Sequence, residues 1–230
     1  MTSFLSAEEW SAVRLSIVVG IYVVAFSLPV AIYLGYVLAR YQFPGKALIE
    51  IFVNLSLVVP PVVTGYLLLQ LFKPEAFVGR FLRESFNLRI AFHQPGLVVA
   101  AAVMSFPLMV RAIRLGFQSV DPRLETAART LGAGRLTTFF TISLPLAKSG
   151  IIAGCVLAFA RSLGEFGATV MLASQREGNR TIPLLIYTVK NRPGGLNEIW
   201  PLVGVSLVLA GAALAASEYM ERKGTRRESA

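Results

Sequence analysis

Charge is scarce in this chain, and reactive side chains are scarcer. Of 230 residues only 15% are Asp, Glu, Lys or Arg, whereas 55% are hydrophobic, and the mean hydropathy is +0.63. A soluble domain of this length seldom carries so few charges. There is one cysteine, Cys155, and one histidine, His93. A lone cysteine excludes an intrachain disulfide and says little about redox compartment. There is no HExxH or GxSxG arrangement, and no set of convergent nucleophiles from which to build an intramembrane enzyme. A GxxxxGK[ST] phosphate loop is also missing, so the chain supplies no nucleotide chemistry of its own. Nothing points to a bound metal or cofactor, or to a nucleic-acid partner.

What is present is apolar sequence in blocks. Leu15–Leu38 and Ile51–Phe72 carry no charge, and Ile90–Val110 carries only His93. Ser149–Gln175 contains Arg161 and Glu165, and Ile199–Ser217 is again uncharged. A bilayer core takes about 20 apolar residues per helix. The pattern therefore predicts an all-α integral membrane protein with about five transmembrane helices, near 15–38, 51–72, 90–110, 149–175 and 199–217. Buried helices of a soluble core are shorter and amphipathic. Glu8 and Glu9 stand where a secretory signal is basic, so no cleaved leader is expected. The whole chain, 1–230, reads as a single membrane domain.

Five spans place the termini on opposite sides. Arg40 and Lys46, the 111–148 segment, and the tail with Arg222, Lys223, Arg226 and Arg227 then share one side, with 12 of the 22 basic residues. By the positive-inside rule that side is cytoplasmic and the N-terminus lies outside. Basic residues in the outer loops, including Lys73, Arg80, Arg83, Arg89, Arg176 and Arg180, suit an anionic partner or an ordinary solvated surface. Phe77, Phe81, Leu82 and Phe86 predict a short interfacial helix. Thr181–Val189 is apolar but only half of a spanning length, and predicts a short helix at the outer surface.

The polar segment Asp121–Pro145 is the conspicuous exception to the membrane pattern. Asp121-Pro122 is a helix start, because Asp caps and Pro suits the first turn. Leu124, Ala127, Ala128 and Leu131 follow at helical spacing. Gly132 and Gly134 can end that helix in left-handed backbone. A second helix, Arg135–Ile142, carries Phe139 and Phe140, and Leu144-Pro145 is expected to break it before the fourth span. A short amphipathic helix tied to two spans is a geometry that can transmit a push.

Ala127-Ala128, Gly132 and Ile142-x-Leu144-Pro145 resemble the signature loop of permease subunits of ABC importers. Ala160-Arg161-Ser162-Leu163-Gly164-Glu165-Phe166-Gly167-Ala168-Thr169 resembles the span-four motif of the oxyanion permeases. Further matches are Phe43-Pro44-Gly45-Lys46, Val59-Pro60-Pro61-Val62-Val63-x-Gly65-Tyr66, Met104-Ser105-Phe106-Pro107-Leu108-Met109-Val110-Arg111 and Thr181-Ile182-Pro183. Together they span roughly Trp10–Glu218, and the similarity is greatest to the molybdate permeases. The loop departs from the family in one respect: the usual acid falls at Thr126, and Glu125 stands one position earlier.

The resemblance implies a pore-forming subunit in a bacterial cytoplasmic (inner) membrane. It implies a second copy of the chain, two ABC ATPase subunits holding the ATP and Mg, an outer oxyanion-binding protein, and membrane lipid around the spans. Asp121, Glu125, Thr126, Ala127, Ala128, Gly132, Leu144 and Pro145 are then the expected ATPase-coupling residues, with the coupling helix between spans three and four. Tungstate or sulfate are alternative cargoes, and a secondary transporter driven by an ion gradient is a remote alternative.

For the translocation path or gate the candidates are Pro60, Pro61, Arg161, Gly164, Glu165 and Gly167. Pro60-Pro61 removes backbone hydrogen bonds and bends span two, as a static kink or a pore-lining hinge. Arg161 lies about 18 Å along span four if the helix starts near Ser149, and i, i+4 spacing lets Glu165 face it. That pair reads equally as a packing element or as a polar lining near a gate. A bare carboxylate repels an oxyanion, so Glu165 is not expected to be a ligand. Gly150, Gly154, Ala160, Gly164 and Ala168 permit close helix approach, expected against the same span of a second copy.

Overall fold

The computed structural model describes residues 5–174, 179–195 and 199–228, and these are helical with no strand. Helix α1 (Ala7–Arg40) opens on a capping box. The Ser6 hydroxyl accepts from the Glu9 N–H at 3.3 Å, and the Glu9 carboxylate accepts from the Ser6 N–H at 2.6 Å. The helix then runs 34 residues, about 51 Å at 1.5 Å per residue. Its buried stripe, Ala12, Leu15, Val19, Val23, Ser27, Ala31, Gly35 and Leu38, recurs every three or four positions. Much of that stripe faces α5 (Gln94–Gln118), to which Leu97, Ala101, Met109 and Ile113 contribute. These two helices are long and apolar enough to cross a membrane unbroken.

The block expected to be span two is two helices, α2 (Lys46–Val58) and α3 (Pro61–Phe72), bent by 112°. Pro60 and Pro61 each lack an N–H, and a residue preceding proline is driven to extended backbone. Val59 (ψ 134°) and Pro60 (ψ 133°) obey that rule, so the chain turns a corner instead of kinking. Helix α2 has no buried residue. Beyond it, a short helix forms as expected, α4 (Phe77–Phe86), with Phe77, Phe81 and Phe86 exposed and Leu82 packed inward.

After α5 come α6 (Pro122–Thr130), α7 (Arg135–Thr138), a π-helical turn (Phe139–Ser143) and α8 (Leu144–Leu146). Pro145 does not break this second helix. The Leu144 N–H reaches back five residues to the Phe139 carbonyl, and this wider turn accommodates the missing Pro145 donor. The bend comes instead at Ala147, where α8 meets α9 (Lys148–Leu163) at 66°.

The expected fourth span is also broken. Helix α9 stops at Leu163, residues 164–168 form a turn, and α10 (Thr169–Leu172) follows. Gln175, the expected end of this span, and Arg176 lie outside the described residues. Gly150 and Gly154 of α9 pack against α5 of the same chain. A Cβ on Gly150 would sit 2.5 Å from the Gly116 Cα, and one on Gly154 3.0 Å from Ile113 and from the Met109 carbonyl, both on α5. Close helix approach was the correct reading of these glycines, but the partner helix is α5.

The short helix predicted here forms as α11 (Ile182–Lys190), and packs Ile182, Leu185 and Val189 against Ala12, Val13 and Leu202. Helix α12 (Trp200–Glu228) carries the last apolar block. By length and composition the described residues hold two unbroken spanning helices, or up to four spans if each bent pair is one. Of the five blocks expected to span, two are thus broken, at Pro60-Pro61 and at residues 164–168, and the last falls on the single 29-residue helix α12.

Contacts at the two ends of α1 order the loops. At its start, Glu8 pairs with Arg180 at 3.3 Å and Arg192 at 3.9 Å, and Ser16 Oγ accepts from the Ile182 N–H at 2.9 Å. At its finish, Arg40 meets Glu125. The 180–192 region and the 121–145 segment therefore lie at opposite ends of the bundle, the relative arrangement that charge counting gave.

Candidate functional site

The 121–145 segment is built at its ends as its residues dictate. Asp121 caps α6, its carboxylate accepting from the Arg123 N–H at 2.9 Å. At the other end the Ala133 N–H reaches the Ala128 carbonyl at 3.0 Å and the Gly132 N–H reaches Arg129 at 3.0 Å. These two bonds form a Schellman motif, which requires left-handed backbone at Gly132, and φ there is +92°. Gly134 does not share this role: its φ is −66°, so its backbone is open to any residue.

The sides of α6 are inverted relative to a helix resting on a membrane domain. Leu124 is exposed, as are Thr126 and Ala127, and Leu131 is 89% exposed. Leu136, Phe140 and Pro145 extend the exposed surface, while Ala128 and Leu144 are half-buried. The one buried residue of α6 is an acid, Glu125, at 5% exposure. Its Oε1 accepts from Arg40 Nε at 2.9 Å and from Ser143 Oγ at 2.8 Å. Arg40 Nη2 also donates to the Val120 carbonyl at 2.8 Å. Phe139 anchors the rod behind it, with ring centroids 4.9 Å from Tyr36 and 6.1 Å from Phe117.

The broken helices form a second constellation. The α2–α3 corner and the α9–α10 turn touch: a Cβ on Gly167 would sit 2.6 Å from Pro61 Cβ, and one on Gly65 would sit 2.6 Å from the Ala168 carbonyl. Pro61 and Gly167 are thus brought together. Pro60, beside them, is exposed, and so is Gly164, with open space where a side chain would be. Glu165 lies past the end of α9, not on its face, yet its Oε2 still takes Arg161 Nη1 at 2.7 Å. Its Oε1 takes the Ala168 N–H at 2.8 Å. Both carboxylate oxygens are engaged, and the side chain is 1% exposed, against 30% for Arg161. Glu165 closes the turn between two helices. Arg161 retains an open side.

The profile of the family described as "Binding-protein-dependent transport system inner membrane component" matches residues 13–217. The chain belongs to that family. Among its relatives, the molybdenum transport system permease protein ModB of Escherichia coli K12 is 52% identical over 219 residues, 95% of this chain and 96% of the relative. The protein of the same name from Haemophilus influenzae is 44% identical over 94% of each chain. The sulfate transport system permease protein CysT of Salmonella typhimurium is 36% identical over 68% of this chain and 56% of its own length. Of solved structures, a bacterial alginate ABC transporter in complex with a periplasmic protein superposes with TM-score 0.75 at 18% identity, over 96% of this chain and 80% of that one. The MetNI methionine ABC transporter gives 0.66 at 16%, covering 94% of both. The fold is that of ABC transporter permeases.

In this permease, sequence reasoning placed Glu125 in the loop but missed its partner. Two signals were available. Glu125 is the only acid between Pro122 and Gly164, and Arg40 closes the first apolar run with no acid beside it. Reading Arg40 only as a marker of sidedness concealed the pairing.

Proposed function

We propose that this permease is the pore-forming subunit of an ATP-driven importer that moves molybdate across the bacterial inner membrane. The observation that carries the reading is the exposed rim of Leu124, Leu131, Leu136 and Phe140 around the Gly132 turn, on a segment anchored at Glu125 and Phe139. Large apolar side chains clustered on a polar loop mark a protein contact. The absence of a phosphate loop from this chain assigns ATP hydrolysis to that partner, so the permease itself is not an enzyme. Molybdate is the cargo because the relatives matching along the whole chain are named for molybdenum transport.

Two copies form the pore, with the exposed side of α2, carrying Leu48, Ile51, Phe52 and Leu55, available to the second copy. Two ATPase subunits dock on the two loops from the cytoplasm, and an outer oxyanion-binding protein delivers the anion at the N-terminal side. ATP binding draws the ATPases and their docked loops together and opens the pore outward; hydrolysis resets it. The path passes the corner of Pro60 and Pro61 against Gly167, with Arg161 presenting positive charge and Glu165 holding the turn in shape. Glu165 neutralises Arg161 and is not an anion ligand.

The test is co-purification followed by transport. The full chain, expressed with its ATPase, should bring that subunit down through detergent washes, and Leu131→Asp should weaken the capture at unchanged membrane abundance. A permease with an intact loop that never retains an ATPase rejects the reading.

A further inference from the structure

The mechanism needs motion of α6 to reach the transmembrane bundle, and α6 has almost nothing with which to grip it. Its side chains are exposed or half-buried except for Glu125. A helix lacking an apolar attachment transmits force through its flanking chain and through whatever polar contact remains. Here that contact is one carboxylate shared by three elements. Arg40 Nε reaches Glu125 Oε1 at 2.9 Å from the last turn of α1, and Ser143 Oγ reaches the same oxygen at 2.8 Å from the rod that feeds α9. Arg40 Nη2 holds the Val120 carbonyl, at the joint between α5 and α6, at 2.8 Å. The Arg40 and Glu125 side chains are only 10% and 7% exposed, so the contact is largely withdrawn from competing water.

The element on the far side of this contact is suited to carry a displacement. Helix α1 runs as one helix for 34 residues, with Pro29 inside it removing a single backbone donor. Its opposite end is fastened to the 180–192 region by Glu8 with Arg180 and Arg192, and by Ser16 with the Ile182 N–H. The broken helices α2–α3 and α9–α10 offer no comparable rigid route, and α5, the other unbroken spanning helix, joins α6 through the chain at Val120, whose carbonyl Arg40 also holds.

We propose that Arg40, Glu125 and Ser143 form the transmission contact of this permease, through which movement of the docked loop is passed to α1 and so to the outer face. Arg40 is a positioning residue: it touches neither anion nor nucleotide. The proposal rests on the importer reading above and adds the route that the movement takes.

The experiment uses the complete complex of permease, ATPase and binding protein in proteoliposomes, reading molybdate uptake and ATP hydrolysis in the same preparation. Arg40→Met should still capture the ATPase and hydrolyse ATP, but molybdate carried per ATP should fall by about tenfold, within the usual range of coupling between sites. Arg40→Lys keeps the charge but loses the fork that spans Glu125 and Val120, and should fall between Arg40→Met and wild type. Ser143→Ala, which removes one hydroxyl and leaves the ion pair, supplies a mild variant in case Arg40→Met does not accumulate; its ratio should drop the least. An unchanged molybdate-to-ATP ratio in Arg40→Met and Ser143→Ala overturns the proposal. So does a proportional fall of uptake and hydrolysis, which indicates a structural role only. If the wild-type complex neither captures ATPase nor takes up molybdate, the importer reading itself fails, and the two failures are thereby distinguished.

Discussion

The Arg161–Glu165 pair permits a prediction in which unequal burial sets unequal costs. Glu165 is 1% exposed and Arg161 30%. Replacing Arg161 with Met leaves a buried carboxylate whose remaining partner is the Ala168 N–H at 2.8 Å. Removing one member of a buried pair costs about 3–5 kcal/mol. Replacing Glu165 with Gln keeps an oxygen for the Ala168 N–H and leaves Arg161 with its open side, so the loss is nearer that of one charge-assisted hydrogen bond, about 1.5–3 kcal/mol. Arg161→Met combined with Glu165→Gln should be more stable than Arg161→Met alone, because no buried charge is left unpaired. The assay is reversible unfolding of the purified permease in mixed micelles, titrated with a denaturing detergent, over the full double-mutant cycle. If Arg161→Met proves no worse than Glu165→Gln, or the double variant is the least stable of the three, the asymmetric-burial argument is wrong.

Three further outcomes are expected. Gly132→Ala should cost about 1–2 kcal/mol through its left-handed backbone and should weaken ATPase capture, whereas Gly134→Ala, at φ −66°, should leave capture unchanged. Gly150→Val should destabilise the bundle by about 1–3 kcal/mol, since even a Cβ there would sit 2.5 Å from the Gly116 Cα; thermal melting in detergent reads this directly. Ser6→Ala should lower stability by about 1 kcal/mol by removing the α1 cap, measurable by faster amide exchange in the first turn with no change in transport.

Much of this molecule was legible because its signals are local. Apolar blocks, the Asp121-Pro122 start, the Gly132 turn and the short helices at 77–86 and 182–190 follow from chain stiffness, capping and hydropathy, which a sequence states directly. What hydropathy conceals is continuity. Residues 51–72 and 149–175 look like uniform spans, since hydrophobicity does not register that Pro60-Pro61 turns the chain through 112°, or that Glu165 closes a turn by binding the Ala168 N–H. Pro145 misled in the opposite direction: a proline that ends an ordinary helix is accommodated by a π-helical turn. Long-range partners were the other gap. Gly150 reads as a close-packing site but not as one facing Gly116, and the lone acid Glu125 and the unaccompanied Arg40 are each visible in the sequence, but 85 positions apart, with no local pattern to pair them.

The central claim is ATP-driven import of molybdate through a pore formed by this chain. Its most direct test is uptake into proteoliposomes holding the permease with its ATPase and binding protein, comparing molybdate, tungstate and sulfate. The account predicts molybdate accumulation that requires ATP on the ATPase side, stops when the ATPase subunit is omitted, and exceeds sulfate accumulation. Preference for sulfate would contradict the cargo, and uptake driven by an ion gradient without the ATPase would contradict the mechanism.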